Sequence, residues 1–169
     1  GMDAVADPVE FSMSLKYGSS EVKVDKFDGY TTKLVPLIKN LNINKTVAGV
    51  VFKKDETFSH LPSKLVKKEG SYYVLINSMN NSIYTAIRKE VFALSVQNHW
   101  SKNAVDELIS KLVITNPKSF NPEENITRGE FADYITKALG LYSIDSEENL
   151  TFTDVSKDSD FRDSIIASV

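Results

Sequence analysis

Short runs in which hydrophobic and polar residues alternate dominate the first half of the chain. Residues 9–15 alternate in this way, residues 18–20 supply a turn, and residues 22–27 alternate again, which predicts a β-hairpin. Further strand-like runs, separated by turn residues, lie at 30–37, 46–52, 72–76 and 83–87. The pattern therefore predicts a small β-domain over residues 9–94, either a sandwich or a partly open barrel. Residues 34–41 also fit a short helix.

From about Ser95 the hydrophobic spacing changes to three and four residues. This spacing predicts a helix of about three turns, whose apolar face consists of Trp100, Ala104, Val105, Leu108, Ile109 and Leu112. A second helix is predicted from Arg128 to Leu139, closed by Gly140 in the left-handed conformation. The residues expected on its inner side are Phe131, Tyr134, Ile135, Ala138 and Leu139.

The last residues of the chain begin the helical pattern a second time. Phe161, Ile165 and Ile166 have the spacing of Trp100, Ala104 and Val105. Self-similarity of this kind is typical of repeat proteins, in which each unit buries its apolar face against a neighbour. We therefore predict an α+β protein with several domains: the β-domain, a first helical repeat over 95–150 and a truncated second repeat over 151–169.

The second predicted helix begins with an unusual charge. Thr127 and Glu130 have the spacing of a capping box, in which each side chain accepts a hydrogen bond from the other residue's backbone N–H, so we assign both to helix capping. Arg128 lies in the first turn, where a cation opposes the helix dipole at a cost of up to about 1 kcal/mol. Two interpretations of Arg128 stay open from the pattern alone: an inert surface cation or salt bridge, and a ligand-binding residue.

Composition excludes several functional classes. The chain has 169 residues, 41% hydrophobic and 25% charged, which is typical of a globular protein. Its net charge of -3, with acidic and basic residues interspersed, disfavours nucleic acid as a partner. The absence of cysteine excludes disulfides and thiol chemistry and is compatible with export.

No apolar stretch approaches the roughly 18 residues of a membrane span, so no membrane insertion is expected. Because a signal peptide is also missing, we interpret the chain as a piece of a longer protein, with Gly1 a cloning remnant.

Catalytic and metal-binding patterns are also missing. His60 and His99 are the only histidines and lack the i, i+4 spacing of a zinc site, so we expect no metal ligands and place both on the solvated surface. The sequence has no phosphate-binding loop, nucleophile elbow or His-Glu-x-x-His motif. We therefore predict no cofactor and no enzymatic activity.

Several segments together resemble the S-layer homology domain of bacterial surface proteins. They are His99-Trp100, Phe120-Asn121-Pro122, Ile126-Thr127-Arg128-Gly129-Glu130-Phe131-Ala132 and Lys137-Ala138-Leu139-Gly140-Leu141. The resemblance covers a full repeat and the first third of another. The preceding residues, among them His60-Leu61-Pro62-Ser63, look like the β-rich region that often lies upstream of such repeats.

The resemblance implies an extracellular protein anchored non-covalently to the secondary polysaccharide of a Gram-positive type cell wall, often carrying pyruvate ketals. In that setting Arg128 is expected to hold a carboxylate bidentately. Trp100 is expected to stack on a sugar, although a core anchor at the head of the first helix remains equally open. Gly129 replaces the usual Ala, which we expect to let a ligand approach the backbone.

The family's binding pockets lie between repeats, commonly three of them. Two other functions stay open: interaction with other surface-layer proteins, and membership of a surface carbohydrate-active enzyme whose catalytic part lies elsewhere.

Overall fold

The computed structural model of the protein describes residues 1–38, 46–53, 57–90, 93–141 and 152–168. This part of the chain is mostly β. Its strands are β1 Met2–Ala4, β2 Val9–Glu10, β3 Met13–Tyr17, β4 Ser20–Val24, β5 Lys26–Pro36, β6 Ala48–Phe52, β7 Phe58–Leu61, β8 Ser63–Lys68, β9 Ser71–Asn80 and β10 Ile83–Lys89. Its helices are α1 Lys102–Ser110, α2 Arg128–Leu139 and α3 Arg162–Ala167, preceded by a 3₁₀ turn at Leu94–Val96.

The strands form three open antiparallel sheets. The largest has five strands in the order β1-β10-β6-β7, with β2 also paired to β10. A three-stranded sheet has the order β5-β9-β8, and β3 pairs with β4 as a separate hairpin.

The five-stranded sheet is covered on both faces. Successive residues of a strand point to opposite faces, so Tyr84 and Ala86 of β10 join the core formed with the three-stranded sheet, while Ile87 points the other way. On that second face Ile87 packs with Ala48, Val50 and Leu112, the last of which follows α1. The helical part of the chain therefore supplies the third layer of the molecule.

The helical part has a small core of its own. Ala93, Val96, Val105, Ile109 and Ile114 are buried together, and Phe120 and Tyr134 pack against them. The apolar spacing predicted from Ser95 onward thus identified the buried Val105 and Ile109 of α1. Trp100 and Ala104 of the predicted apolar face are exposed, and the helix is shorter than expected and starts at Lys102.

The C-terminal end of α2 is docked on the β-strands. Gly140 has φ 62° and ends the helix, as predicted. A Cβ atom at Gly140 would lie 2.8 Å from Leu61 Cδ2 and 2.9 Å from Pro62 Cδ. The Tyr30 hydroxyl donates to the carbonyl oxygen of Leu139 at 2.6 Å. Glycine is required here for both its backbone conformation and its size.

Several strand predictions are corrected. Val9 and Glu10 belong to the five-stranded sheet rather than to the hairpin, because Val9 and Phe11 pack against its core. Strands β1, β7 and β8 were not predicted, and the strands begin upstream of Val9. The alternative helix at 34–41 is wrong for its first three residues, which lie in β5; residues 39–41 fall outside the described part.

The predicted inner face of α2 is also wrong in part. Phe131, Ile135 and Leu139 are 58%, 42% and 44% exposed, whereas Asp133 and Thr136 are buried. The reason is that α3 packs against the polar side of α2: Ser164 Oγ donates to Asp133 Oδ1 at 2.6 Å, and Thr136 Oγ1 donates to the Ser164 carbonyl at 3.1 Å. Asp133 is satisfied further by Lys137 Nζ at 2.5 Å.

Candidate functional site

The first turn of α2 is built by a capping box. The Thr127 hydroxyl accepts from Glu130 N at 3.2 Å, and a Glu130 carboxylate oxygen accepts from Thr127 N at 2.8 Å. The backbone and hydroxyl hydrogen bonds from Thr127 lower the pKa of Glu130 below its usual value. Both hydrogen bonds predicted from the Thr-x-x-Glu spacing are therefore present.

Arg128 is exposed beside this cap. Within the part of the chain that the structure describes, its guanidinium makes no hydrogen bond or ion pair. The acid nearest in sequence, Glu130, is occupied by Thr127. The charge of Arg128 is thus available to an external anion, next to the backbone N–H groups that begin the helix.

The backbone at Gly129 is not open to a ligand. The expectation that the small residue lets a ligand approach the backbone is therefore wrong. A Cβ atom at this position would lie 2.6 Å from Cδ2 of Phe161, whose ring rests on the first turn of α2. Glycine is needed here because the residue preceding α3 packs against it.

Trp100 is not a core anchor. It lies before α1 and is 90% exposed. Its ring is 5.4 Å from that of His99, between ring centroids. His99 is in turn positioned by Glu123, 3.0 Å from its Nε2, and by Ser101 Oγ, 2.7 Å from its Nδ1. The indole is therefore an exposed aromatic surface held beside a fixed neighbour.

A groove of about 730 Å³ runs along the helical core, between the α1–α2 loop and the first turns of α2. Its apolar floor includes Leu108, Phe120 and Tyr134, and Thr127 and Glu130 form part of its wall. The charged residues that line it are Glu124, Glu130, Asp133, Lys137 and Asp160, an excess of acids. Neither Arg128 nor Trp100 lines the groove, so the structure does not bring the two predicted ligand-binding residues together in it.

A buried histidine and a buried lysine lie away from this groove. His60, expected on the surface, is 4% exposed, and burial, together with the charge of Lys111, lowers its pKa to about 4. Lys33 in β5 is also 4% exposed. Burial lowers its pKa to about 8, and its Nζ donates to the carbonyl oxygens of Ser78 and Asn80 at 3.0 and 2.9 Å. The strand pattern did not indicate that His60 or Lys33 is buried, because their burial depends on contacts with residues distant in the sequence.

Comparison with known protein families identifies the helical segment. Residues 96–132 match the family model of the S-layer homology domain. The match spans α1, the following loop and the start of α2, and it includes Trp100 and Arg128. No curated protein and no solved structure matches the chain significantly.

Residues 96–132 therefore belong to an S-layer homology domain, which confirms the resemblance seen in this segment of the sequence. This domain is a non-catalytic module that anchors proteins at the cell surface, and such domains bind cell-wall polysaccharide. Among the described residues, no helix has the length and apolar character needed to cross a membrane.

Proposed function

We propose that this protein is a non-catalytic anchoring protein that binds a secondary cell-wall polysaccharide carrying pyruvyl groups. In this proposal the S-layer homology segment, residues 95–150 with the partial repeat 151–169, contacts the glycan. The β-rich unit over residues 9–94 acts as a spacer or interaction domain at the extracellular surface. The observation that carries the proposal is Arg128 at the start of α2, which is exposed and pairs with none of the described residues.

Arg128 is assigned to the acidic group of the glycan. A guanidinium holds a carboxylate through two parallel N–H···O bonds, and it remains charged at every relevant pH. Adjacent backbone N–H groups at the helix start add donors for the same anion. Because the cation opposes the helix dipole, and none of the described acids pairs with it, ligand binding explains its presence better than helix stability does.

The groove is assigned to neutral sugar units and not to the pyruvyl group. Its acids would repel a carboxylate. A carboxylate such as that of Glu124 can instead accept hydrogen bonds from sugar hydroxyls, and the amides of Asn121 and Asn125 can both donate to them and accept from them. Trp100 supplies an exposed ring for stacking outside the groove. The acidic and neutral parts of the glycan are thus assigned to different surfaces.

A wall-binding assay tests the role of Arg128. Because the resemblance implies pockets between repeats, the assay uses a version of the protein extended to three repeats, sedimented with purified cell walls. Arg128→Ala is expected to weaken binding at least tenfold while its circular dichroism stays that of the wild type. Lys118→Ala, an exposed cation in the same segment, is the matched control and is expected to bind normally. Equal retention of wild type and Arg128→Ala would rule out this assignment.

A second candidate function is interaction with other surface-layer proteins. The observation that favours it is the exposed apolar stripe of Phe131, Ile135 and Leu139, which recurs every four residues along α2. Exposed stripes of this kind are typical of helix packing sites. If this is the main function, Ile135→Ser abolishes association with the partner and leaves wall binding unchanged.

A further inference from the structure

The hairpin β3–β4 carries an apolar face that the described chain leaves mostly exposed. In its register Met13 lies opposite Val24, Leu15 opposite Val22 and Tyr17 opposite Ser20. Side chains alternate between the two faces of a strand, so Met13, Leu15, Tyr17, Val22 and Val24 share one face. The exposed fractions of Met13, Leu15, Tyr17 and Val22 are 47%, 64%, 91% and 63%.

The opposite face of the hairpin is polar and nearly neutral. Lys16 and Glu21 form a cross-strand ion pair at 3.3 Å, and Lys23 lies 3.1 Å from Asp25. The hairpin therefore has no strong charge to attract an anionic polymer or an anionic lipid surface. Its apolar face, in contrast, requires a partner with an apolar surface of its own.

The hairpin has little support from the rest of the described fold: at the end of β4 the side-chain amide of Asn81 donates to the Val24 carbonyl oxygen at 2.7 Å. Its strands pair only with each other among the described strands. An isolated two-stranded hairpin is marginally stable in water and gains stability when its apolar face is covered. Covering this face would stabilise the hairpin and remove a contiguous exposed apolar patch.

We propose that the hairpin is a self-association surface that packs face to face against the same hairpin of a second copy of this chain. A two-fold axis across the strands at Leu15 places Leu15 on its counterpart, Val22 on its counterpart and Tyr17 on Met13 of the second copy. Tyr17 of each copy then packs against Met13 of the other copy, at the end of the face that has no aromatic side chain. A closed two-fold interface is the commonest way for a protein to bind itself.

The size of the face predicts a weak dimer. At the exposed fractions given above, these side chains supply at most on the order of 500 Å² per copy, so two copies bury at most roughly 1,000 Å² in total, at the low end for specific interfaces. Such contacts become effective when many copies are held close together on one surface. The inference does not depend on the glycan proposal, because it concerns a different part of the molecule.

Sedimentation velocity over a concentration series tests the proposal. The wild type is expected to show reversible dimerisation at concentrations on the order of 100 µM. The double variant Leu15→Ser, Val22→Ser is expected to raise the dissociation constant at least tenfold. Leu94→Ser, which changes an exposed leucine outside the hairpin, is the control and should dimerise like the wild type. A wild type that stays monomeric, or a double variant that dimerises normally, overturns the proposal.

Cysteine cross-linking keeps the test valid if the serine variant unfolds the hairpin. The chain has no cysteine, so single substitutions give unambiguous products. Leu15→Cys is expected to form a disulfide-linked dimer on mild oxidation at least ten times faster than Leu94→Cys. Equal rates contradict the proposed axis. Binding of the wild type to phosphatidylcholine vesicles without self-association would likewise overturn it, in favour of a lipid partner.

Discussion

At the residue scale, local structure accounts for the side chains around Arg128 but not for Arg128 itself. Thr127 and Glu130 satisfy each other's hydrogen bonds across the helix start, and Gly129 makes room for Phe161. These roles are structural. Among the described residues Arg128 has no hydrogen-bond or ion-pair partner, which is why we propose that its charge serves an external ligand.

The same scale shows what the sequence can predict about single residues. The capping box follows from two residues three positions apart, so it was predictable. The burial of His60 was not predictable, because it depends on which elements pack over β7, and the local pattern does not specify them. Trp100 had two open interpretations, and the structure decides between them by placing it before α1 with 90% of the residue exposed.

The buried His60 is expected to make the free energy of unfolding decrease in acid. Its folded-state pKa of about 4 lies below the ordinary value of 6.5, because burial disfavours the charged form. Its contribution to stability is therefore complete above pH 6.5 and is lost as the pH falls from 6.5 to 4. The free energy of unfolding should drop by about 2 kcal/mol between pH 7 and pH 5.

Urea unfolding of the wild type and of His60→Gln at pH 7 and pH 5 measures this effect. The variant is expected to lose most of the dependence on pH, whatever its absolute stability. An identical decrease in both proteins would assign the acid sensitivity to other groups.

At the scale of elements, α2 shows how local signals define a helix and how distant contacts define its faces. Both ends of α2 were predicted, because the Thr127 cap and Gly140 act within a few residues. Its buried side was misassigned, since α3 packs on Asp133 and Thr136 rather than on the apolar stripe. Strand β8 was missed because its three lysines and its exposure, typical of an edge strand, hide the alternation.

Substitution of Gly140 tests the docking of α2 on the β-strands. Gly140→Ala combines a left-handed backbone with contacts under 3 Å to Leu61 and Pro62, so we expect a loss of about 2–4 kcal/mol. Gly70→Ala is the matched control, because Gly70 has φ 82° but no atom within 4 Å of the added Cβ. It should cost about 1–2 kcal/mol from the backbone alone. Equal losses in urea unfolding would show that the docking contact contributes little.

At the scale of the whole molecule, the helical layer packs directly against the β-strands. Leu112 packs with Ile87 on one side of the five-stranded sheet, and Tyr30 bonds to Leu139, 109 residues away. Contacts across such distances leave no trace in the local pattern, so the sequence did not indicate them. A load applied through the anchoring segment would therefore pass directly into the β-strands.

This arrangement predicts cooperative unfolding. In native-state hydrogen exchange, the slowest amides of α2 and of β10 should report the same opening free energy, within about 1 kcal/mol, because the two elements open in one transition. Gly140→Ala should lower both values together. A markedly lower value for α2 alone would mean that the helical segment unfolds independently.

The central claim is that Arg128 of the S-layer homology segment binds the acidic group of a wall polysaccharide. Calorimetric titration of the three-repeat protein and its Arg128→Ala variant with wall glycan, before and after removal of the pyruvyl groups, tests it as a double-perturbation cycle. Removing the pyruvyl groups should weaken binding of the wild type at least tenfold and leave the variant's affinity unchanged. Equal weakening of both proteins would contradict the claim.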